Sequence, residues 1–253
     1  MLLEVRNITK SFDGIKAVDG VSFSLDPSQG LCFLIGPNGS GKTTILDLIT
    51  GNLRPDEGEV LFEGYPISGL SPYKIAAKGV ARTFQQGRLF YQLSLLDNLL
   101  LAASNGLENP RSLLSLRWRR EERLLREKAM KILLSLGLME DRGKRAEELS
   151  FGQRKLLEMG RLLMQDNCKL FLLDEPTAGL HPKLINRTME LIEGLKERGK
   201  AILIVEHNLD VVKRVAERII FLDSGKIIAE GPAEEVLNDP VVRSIYLGIK
   251  DAA

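Results

Sequence analysis

One stretch constrains this chain more than any other: "LCFLIGPNGSGKTT", residues 31–44. The unbroken apolar run from Leu31 to Ile35 suits a strand buried on both faces, since a half-exposed strand would alternate. It leads directly into a turn, Gly36 to Thr43, that fits G-x-x-x-x-G-K-[ST], and Thr44 to Thr50 then reads as a helix. The pattern by itself occurs by chance; set between a strand and a helix it is specific. Gly36, Gly39 and Gly41 let the backbone fold tightly and aim its N–H groups at phosphate oxygens. The helix beginning near Thr43 adds its positive end. Lys42 can reach β- and γ-phosphates, and the Thr43 hydroxyl can ligate Mg²⁺. The nucleotide-binding candidates here are Gly36, Asn38, Gly39, Ser40, Gly41, Lys42, Thr43 and Thr44, with Lys42 also a catalytic candidate and Thr43 a metal ligand.

Hydrolysis at a phosphate site needs a group to polarise water and a metal ligand, and "KLFLLDE" offers a candidate for each. Its apolar run places Asp174 and Glu175 at the carboxyl end of a central strand, the edge at which α/β sheets bind ligands. Asp174 is placed to hold the metal, directly or through water, and Glu175 to orient and polarise an attacking water. "AILIVEH" and "RIIFLD" are further buried strands, separated by helical segments, which is the rhythm of a mainly parallel α/β sheet. Ahead of this core, Leu3 to Ile8 and Val21 to Leu25 alternate like half-exposed antiparallel strands, and "GEVLFEG" reads as a strand near a hairpin. Ser71-Pro72 reads as an N-cap and first-turn proline for a short helix reaching Lys78.

From about Gly87 to Gly160 strand signals vanish and apolar residues fall at helical spacing. "LRWRREERLLREKAMKILLSLG" predicts a long helix closed near Gly137; glutamates interrupt its basic run, as on a solvated face. This block, 87–165, is an insertion into the core formed by 1–86 and 166–222. A tight turn at "DSGK" and two short helices complete 223–253, all within a single domain. Lys and Arg total 35 against 34 Asp and Glu, without the basic excess of a nucleic-acid binder. No apolar run reaches the length of a membrane span. Cys32 and Cys168 lie in apolar runs without metal or redox spacing and are expected to be buried reduced thiols.

One motif is left over. "EELSFGQRK", residues 147–155, has no nucleophile or histidine, yet Ser150 sits where a helix starts, with Gly152 and Gln153 in its first turn. A hydroxyl, a glycine allowing close approach and helix N–H groups make an anion site without catalytic groups.

With "GPNGSGKTT", "LSFGQ" and "LLDEP" in that order, the chain resembles the nucleotide-binding subunit of an ATP-binding cassette (ABC) transporter over nearly its whole length. The resemblance implies a P-loop NTPase fold of RecA-like type: a mainly parallel core, an N-terminal antiparallel β subdomain and an inserted α-helical subdomain. "LSFGQ" matches the family signature, usually written with Gly where Phe151 stands. It implies that Ser150, Gly152 and Gln153 bind the γ-phosphate held by a second subunit, of the same or a different chain. "TFQ" places Gln85 near the metal and the membrane partner. "VEH" places His207 near the γ-phosphate. Phe12 lies where the family stacks an aromatic ring on adenine, with a core phenylalanine as the rival reading. His181 in "AGLHP" departs from the family's usual Asp.

The resemblance further implies ATP and Mg²⁺ as ligands, permease subunits as partners, indirectly a solute-binding protein, and a place on the cytoplasmic face of the membrane. "ARTFQQGRLF", "AGLHP" and "DPVVRSIYLG" resemble the branched-chain amino acid uptake group. Urea and amide importers, lipopolysaccharide-export ATPases and non-transport ATPases of the same fold are the alternatives.

Overall fold

A computed structural model describes residues 1–83, 89–103 and 116–247. The chain divides into two units, each with its own core: Met1–Arg82, Cys168–Ala178 and Leu191–Ala253 in the first, Thr83–Asn167 and Gly179–Glu190 in the second.

The first unit holds two sheets. β1 (Leu3–Phe12), β2 (Ile15–Leu25), β4 (Glu57–Phe62) and β5 (Tyr65–Pro66) form an antiparallel sheet in the order β2-β1-β4-β5. The second sheet contains β3 (Leu31–Ile35), β6 (Val80–Arg82), β7 (Leu170–Asp174), β8 (Ala201–Val205), β9 (Arg218–Asp223) and β10 (Lys226–Pro232). Its order is β10-β9-β3-β8-β7-β6, parallel except for the β9–β10 hairpin. Every residue of β3, β7 and β8 is buried, as their unbroken apolar sequence requires. A shared core joins the inner faces of both sheets to α1 (Lys42–Ile49), through residues such as Val18, Phe23, Ile45, Leu48, Val60 and Leu203.

The register decides where the functional residues fall. Val205 lies beside Leu34 on one side and beside Asp174 on the other. The chain therefore leaves β3, β7 and β8 at nearly one level, and Gly36, Glu175 and Glu206–His207 emerge along the same carboxyl edge. Strand β6, too short to show a pattern, extends the sheet beyond β7 and brings Arg82 to that edge.

α2 (Pro72–Ala77) begins after Ser71 as expected, but the Ser71 side chain makes no cap hydrogen bond there. The Pro72 ring, which fixes φ, is what remains of the start signal.

The second unit is helical among its described residues: α3 (Leu95–Ala102), α4 (Leu116–Leu136), α5 (Phe151–Leu163) and the start of α6 (Pro182–Glu197). α4 ends where expected, with the Gly137 N–H donating to Leu134 O (3.0 Å) and the Leu138 N–H to Leu133 O (2.8 Å). Leu99, Ile132, Leu133, Leu136, Leu156 and Leu157 form its core. Asn98 is fully buried within it, and its amide pins the preceding loop by bonding Phe90 N and the carbonyls of Phe90, Leu93 and Ser94. In the first unit α7 (Leu209–Val215) follows β8, and α8 (Ala233–Asn238) and α9 (Pro240–Leu247) are the last elements among the described residues.

Candidate active site

The turn after β3 is held open by backbone contacts. Gly36 has φ 151°, and a Cβ there would stand 1.9 Å from the Leu222 carbonyl oxygen. Gly41, at φ 104°, would place a Cβ 2.3 Å from the Ala17 carbonyl oxygen. No side chain bulk fits at either place. The β9–β10 turn braces the loop from beneath, with the Gly225 N–H donating to Ser40 O (3.0 Å). Gly41 is the N-cap of α1 and offers no side-chain cap, so the first-turn N–H groups are left to be satisfied from outside the helix. Asn38, Gly39 and Thr43 are exposed on this turn, whereas Ser40 and Lys42 are buried.

Lys42 curls over the loop. Its Nζ donates to Gly36 O (3.0 Å), Pro37 O (2.7 Å) and Ser40 Oγ (3.3 Å). Burial pushes its ammonium below the usual lysine range, and the nearby Glu175 and Asp174 carboxylates oppose that shift. The loop thus carries a positive charge directed at its own concave face.

Asp174 ends β7 with its side chain buried. Its Oδ2 accepts from Arg82 Nη2 (3.1 Å), while Arg82 Nη1 donates to Asp47 Oδ1 on α1 (2.6 Å). Burial raises the Asp174 carboxyl above the usual range, and Arg82 pulls it back. Glu175 follows with φ 47°, a left-handed conformation that a side chain adopts only when its surroundings impose it. Here the Glu175 N–H donates to Val205 O (2.9 Å), which locks the turn to β8. His207 Nε2 then lies 3.0 Å from Glu175 Oε1, both side chains partly open to solvent. Behind His207, Asn208 caps α7 by accepting from the N–H groups of Asp210 and Val211.

Phe12 resolves in favour of exposure: it is 43% accessible, with Lys10 Nζ 5.8 Å from the ring centroid, so it is no core residue. Gln85 lies outside the described residues.

The turn of the second unit is built differently. Ser150 Oγ accepts from Gln153 N (3.3 Å) and Gln153 Oε1 accepts from Ser150 N (3.0 Å), a reciprocal box at the head of α5. Gln153 Nε2 also donates to Asp141 Oδ2 (3.4 Å). Phe151 is exposed, and a Cβ on Gly179 would meet its ring at 2.9 Å. A Cβ on Gly152 would meet Leu184 Cδ1 at 2.5 Å. His181 is exposed at the start of α6, its carbonyl accepting from Leu184 N and Ile185 N.

The sequence reading brought Lys42, Asp174, Glu175 and His207 to one sheet edge. It passed over Arg82, Asp47, Thr177 and Glu206, whose partners are distant in sequence and leave no local signal.

The family model described as ABC transporter matches residues 18–178, more than half of the chain. This chain belongs to the ABC transporter ATP-binding family. A second model, described as branched-chain amino acid ATP-binding cassette transporter, matches residues 226–252 of the cassette. The cassette is 41% identical over 251 residues to the probable branched-chain amino acid transport ATP-binding protein LivG of Archaeoglobus fulgidus, covering 99% of this chain and 97% of the relative. It is 35% identical to the high-affinity protein LivG of Escherichia coli, covering 98% of each. Among solved structures it matches the ADP conformation of an ATP-binding cassette of an ABC transporter at 40% identity, with a TM-score of 0.82 over 98% of this chain and 99% of that one. A dimeric bacterial ABC transporter cassette matches at 26% identity and a TM-score of 0.76 over 92% and 99%. The cassette is therefore a nucleotide-binding ATPase of P-loop fold, of a family that dimerises and works with membrane permeases. Among the described residues no helix is long and apolar enough to cross a membrane.

Proposed function

We propose that this cassette drives import of branched-chain amino acids, hydrolysing MgATP between two ATPase subunits on the cytoplasmic face of a permease. The observation that carries the hydrolytic part is the meeting of Glu175 and His207, 3.0 Å apart, on the sheet edge that also bears the phosphate turn. In this reading Glu175 accepts a proton from the attacking water, and His207 both orients Glu175 and donates toward the γ-phosphate. Lys42 leaves the loop carbonyls for the β- and γ-phosphates, joined by the N–H groups of Gly36 to Thr44. Phe12 presents its open ring face to the base.

Thr43 and Asp174 supply a hydroxyl and a carboxylate oxygen, the hard donors that suit Mg²⁺, with Gln85 joining them by family resemblance. Bound there, the metal would neutralise charge on the β- and γ-phosphates. Ser150, Gly152 and Gln153 act on nucleotide held by a second subunit, whether a copy of this chain or a different ATPase. The helical block, through Gln85 and the residues after it, meets the permease. The substrate assignment is supported by the tail match at 226–252 and by relatives of that name along the full length. Its test is uptake into vesicles holding the cassette, its permeases and the solute-binding protein. ATP-dependent leucine uptake that excess urea leaves unchanged is expected; urea uptake without leucine uptake would reverse the substrate class.

A further inference from the structure

Glu206 is the least expected side chain near the site. It is 2% exposed, and among the described residues no ion pair neutralises it. A buried carboxylate is costly, and more so beside Asp174, Glu175 and a place meant for a polyanion. Its bonds suggest what it does there. Thr177 Oγ1, itself buried, donates to Glu206 Oε1, and the His207 N–H donates to Glu206 Oε2 (3.0 Å). Thr177 stands two residues past Glu175 on the loop after β7; His207 opens the turn after β8. Tyr246 of α9 packs edge-on against Phe221 (5.7 Å), and its phenol is pushed up by burial and then by the charge of Glu206.

We propose that Glu206 is a positioning residue for hydrolysis: it ties Thr177 to the backbone of His207, so that Glu175 and His207 hold their mutual geometry as one body. The proposal rests on the reading above that Glu175 and His207 act in hydrolysis. Glu206 touches neither water nor phosphate in this scheme. Its loss should therefore slow turnover without weakening nucleotide binding, because Lys42 and the phosphate turn do not lean on it.

The test compares full-length chains for kcat, KM for ATP, MgATP affinity by calorimetry and thermal midpoint. Glu206→Leu removes both bonds, and Thr177→Val removes one with little change of shape. Glu206→Gln keeps both, its carbonyl accepting from His207 N–H and its amide donating to the Thr177 hydroxyl. A bond to a charged group supports about a tenfold effect or more, so kcat should fall about tenfold in Glu206→Leu and Thr177→Val, with KM and affinity within about twofold. The double variant should be no slower than Glu206→Leu, and Glu206→Gln should recover to within about threefold of the wild type. Should Glu206→Leu not fold, the near-isosteric Thr177→Val decides.

Glu175→Gln and His207→Ala are run alongside. If they abolish turnover while Thr177→Val and Glu206→Leu leave kcat within twofold, the positioning role is wrong and the site reading stands. Effects that multiply independently, or that appear in KM rather than kcat, also overturn it. If Glu175→Gln and His207→Ala turn over normally, the site reading itself has failed and the role of Glu206 with it.

Discussion

Two turns of this molecule open helices with glycine and serine, and they are built on opposite plans. The turn at Gly36–Thr43 is fixed by backbone against backbone, and its helix N–H groups receive no side-chain cap. The turn at Ser150–Gln153 caps itself, each of its two polar side chains bonding the other's backbone N–H. A Cβ on its glycine would meet side chains alone, the flexible end of Leu184 at 2.5 Å and Leu180 at an ordinary 3.5 Å. A capped turn has already spent part of its hydrogen-bonding capacity; an uncapped one keeps it for a ligand. The contrast suggests that the first turn holds nucleotide by itself, whereas the second contributes to a site assembled around it.

The largest difference should appear on adding a methyl group. Gly36→Ala meets a carbonyl that cannot move and should cost about 3 kcal/mol or more, with loss of nucleotide binding. Gly152→Ala needs only a rotation of Leu184 and should cost about 1 kcal/mol. Denaturant melts of both variants read this directly, and equal costs would remove the distinction.

Next comes affinity. Lys42→Ala should weaken MgATP binding roughly ten- to two-hundredfold, the worth of a charged hydrogen bond. Ser150→Ala should leave the affinity of a single chain unchanged within about twofold while costing about 1 kcal/mol of stability as a lost cap. Calorimetry on folded protein settles both. An unaltered affinity in Lys42→Ala would contradict the phosphate assignment.

The smallest effect concerns pH. The native Lys42 ammonium is held below its ordinary value by burial, so between its native and unfolded pKa the unfolded chain binds more protons. Stability from this group therefore rises with pH across that alkaline window and levels off above the unfolded value. Lys42→Met should lack the rise, whereas Ser150→Ala should keep it; parallel melts between pH 8 and about 10.5 distinguish them.

Much of this site was legible because buried parallel strands must be apolar throughout. Leu31–Ile35, Leu170–Asp174 and Ala201–Val205 each end where their motif begins, so the carboxyl edge could be read from sequence. Ser150 and Gln153 announced their helix start by spacing. What could not be read depends on residues far apart in the chain. Nothing local in "VAR" predicts that β6 extends the sheet, or that Arg82 reaches both Asp47 and Asp174. The left-handed backbone of Glu175 goes with a bond to β8, and the partner of buried Glu206 is Thr177 on another loop. Likewise, the exposure of Phe12 follows from its place at the tip of the β1–β2 hairpin rather than from its type.

The central claim is that the two turns act on one nucleotide from different chains. Gly152→Asp spoils the second turn with bulk and negative charge, and Glu175→Gln disables the water-polarising residue. Each variant alone should be nearly inactive. Mixed, the Gly152→Asp chain still offers its phosphate turn and Glu175, and the Glu175→Gln chain still offers Ser150–Gln153, so one complete site is rebuilt between them. The measurement is ATPase activity of the two purified variants before and after mixing, with wild-type turnover followed over a range of protein concentrations. The account predicts recovery on mixing and a wild-type rate that rises faster than linearly with protein. No recovery, together with strictly linear wild-type activity in a chain that stays monomeric with MgATP, would contradict it.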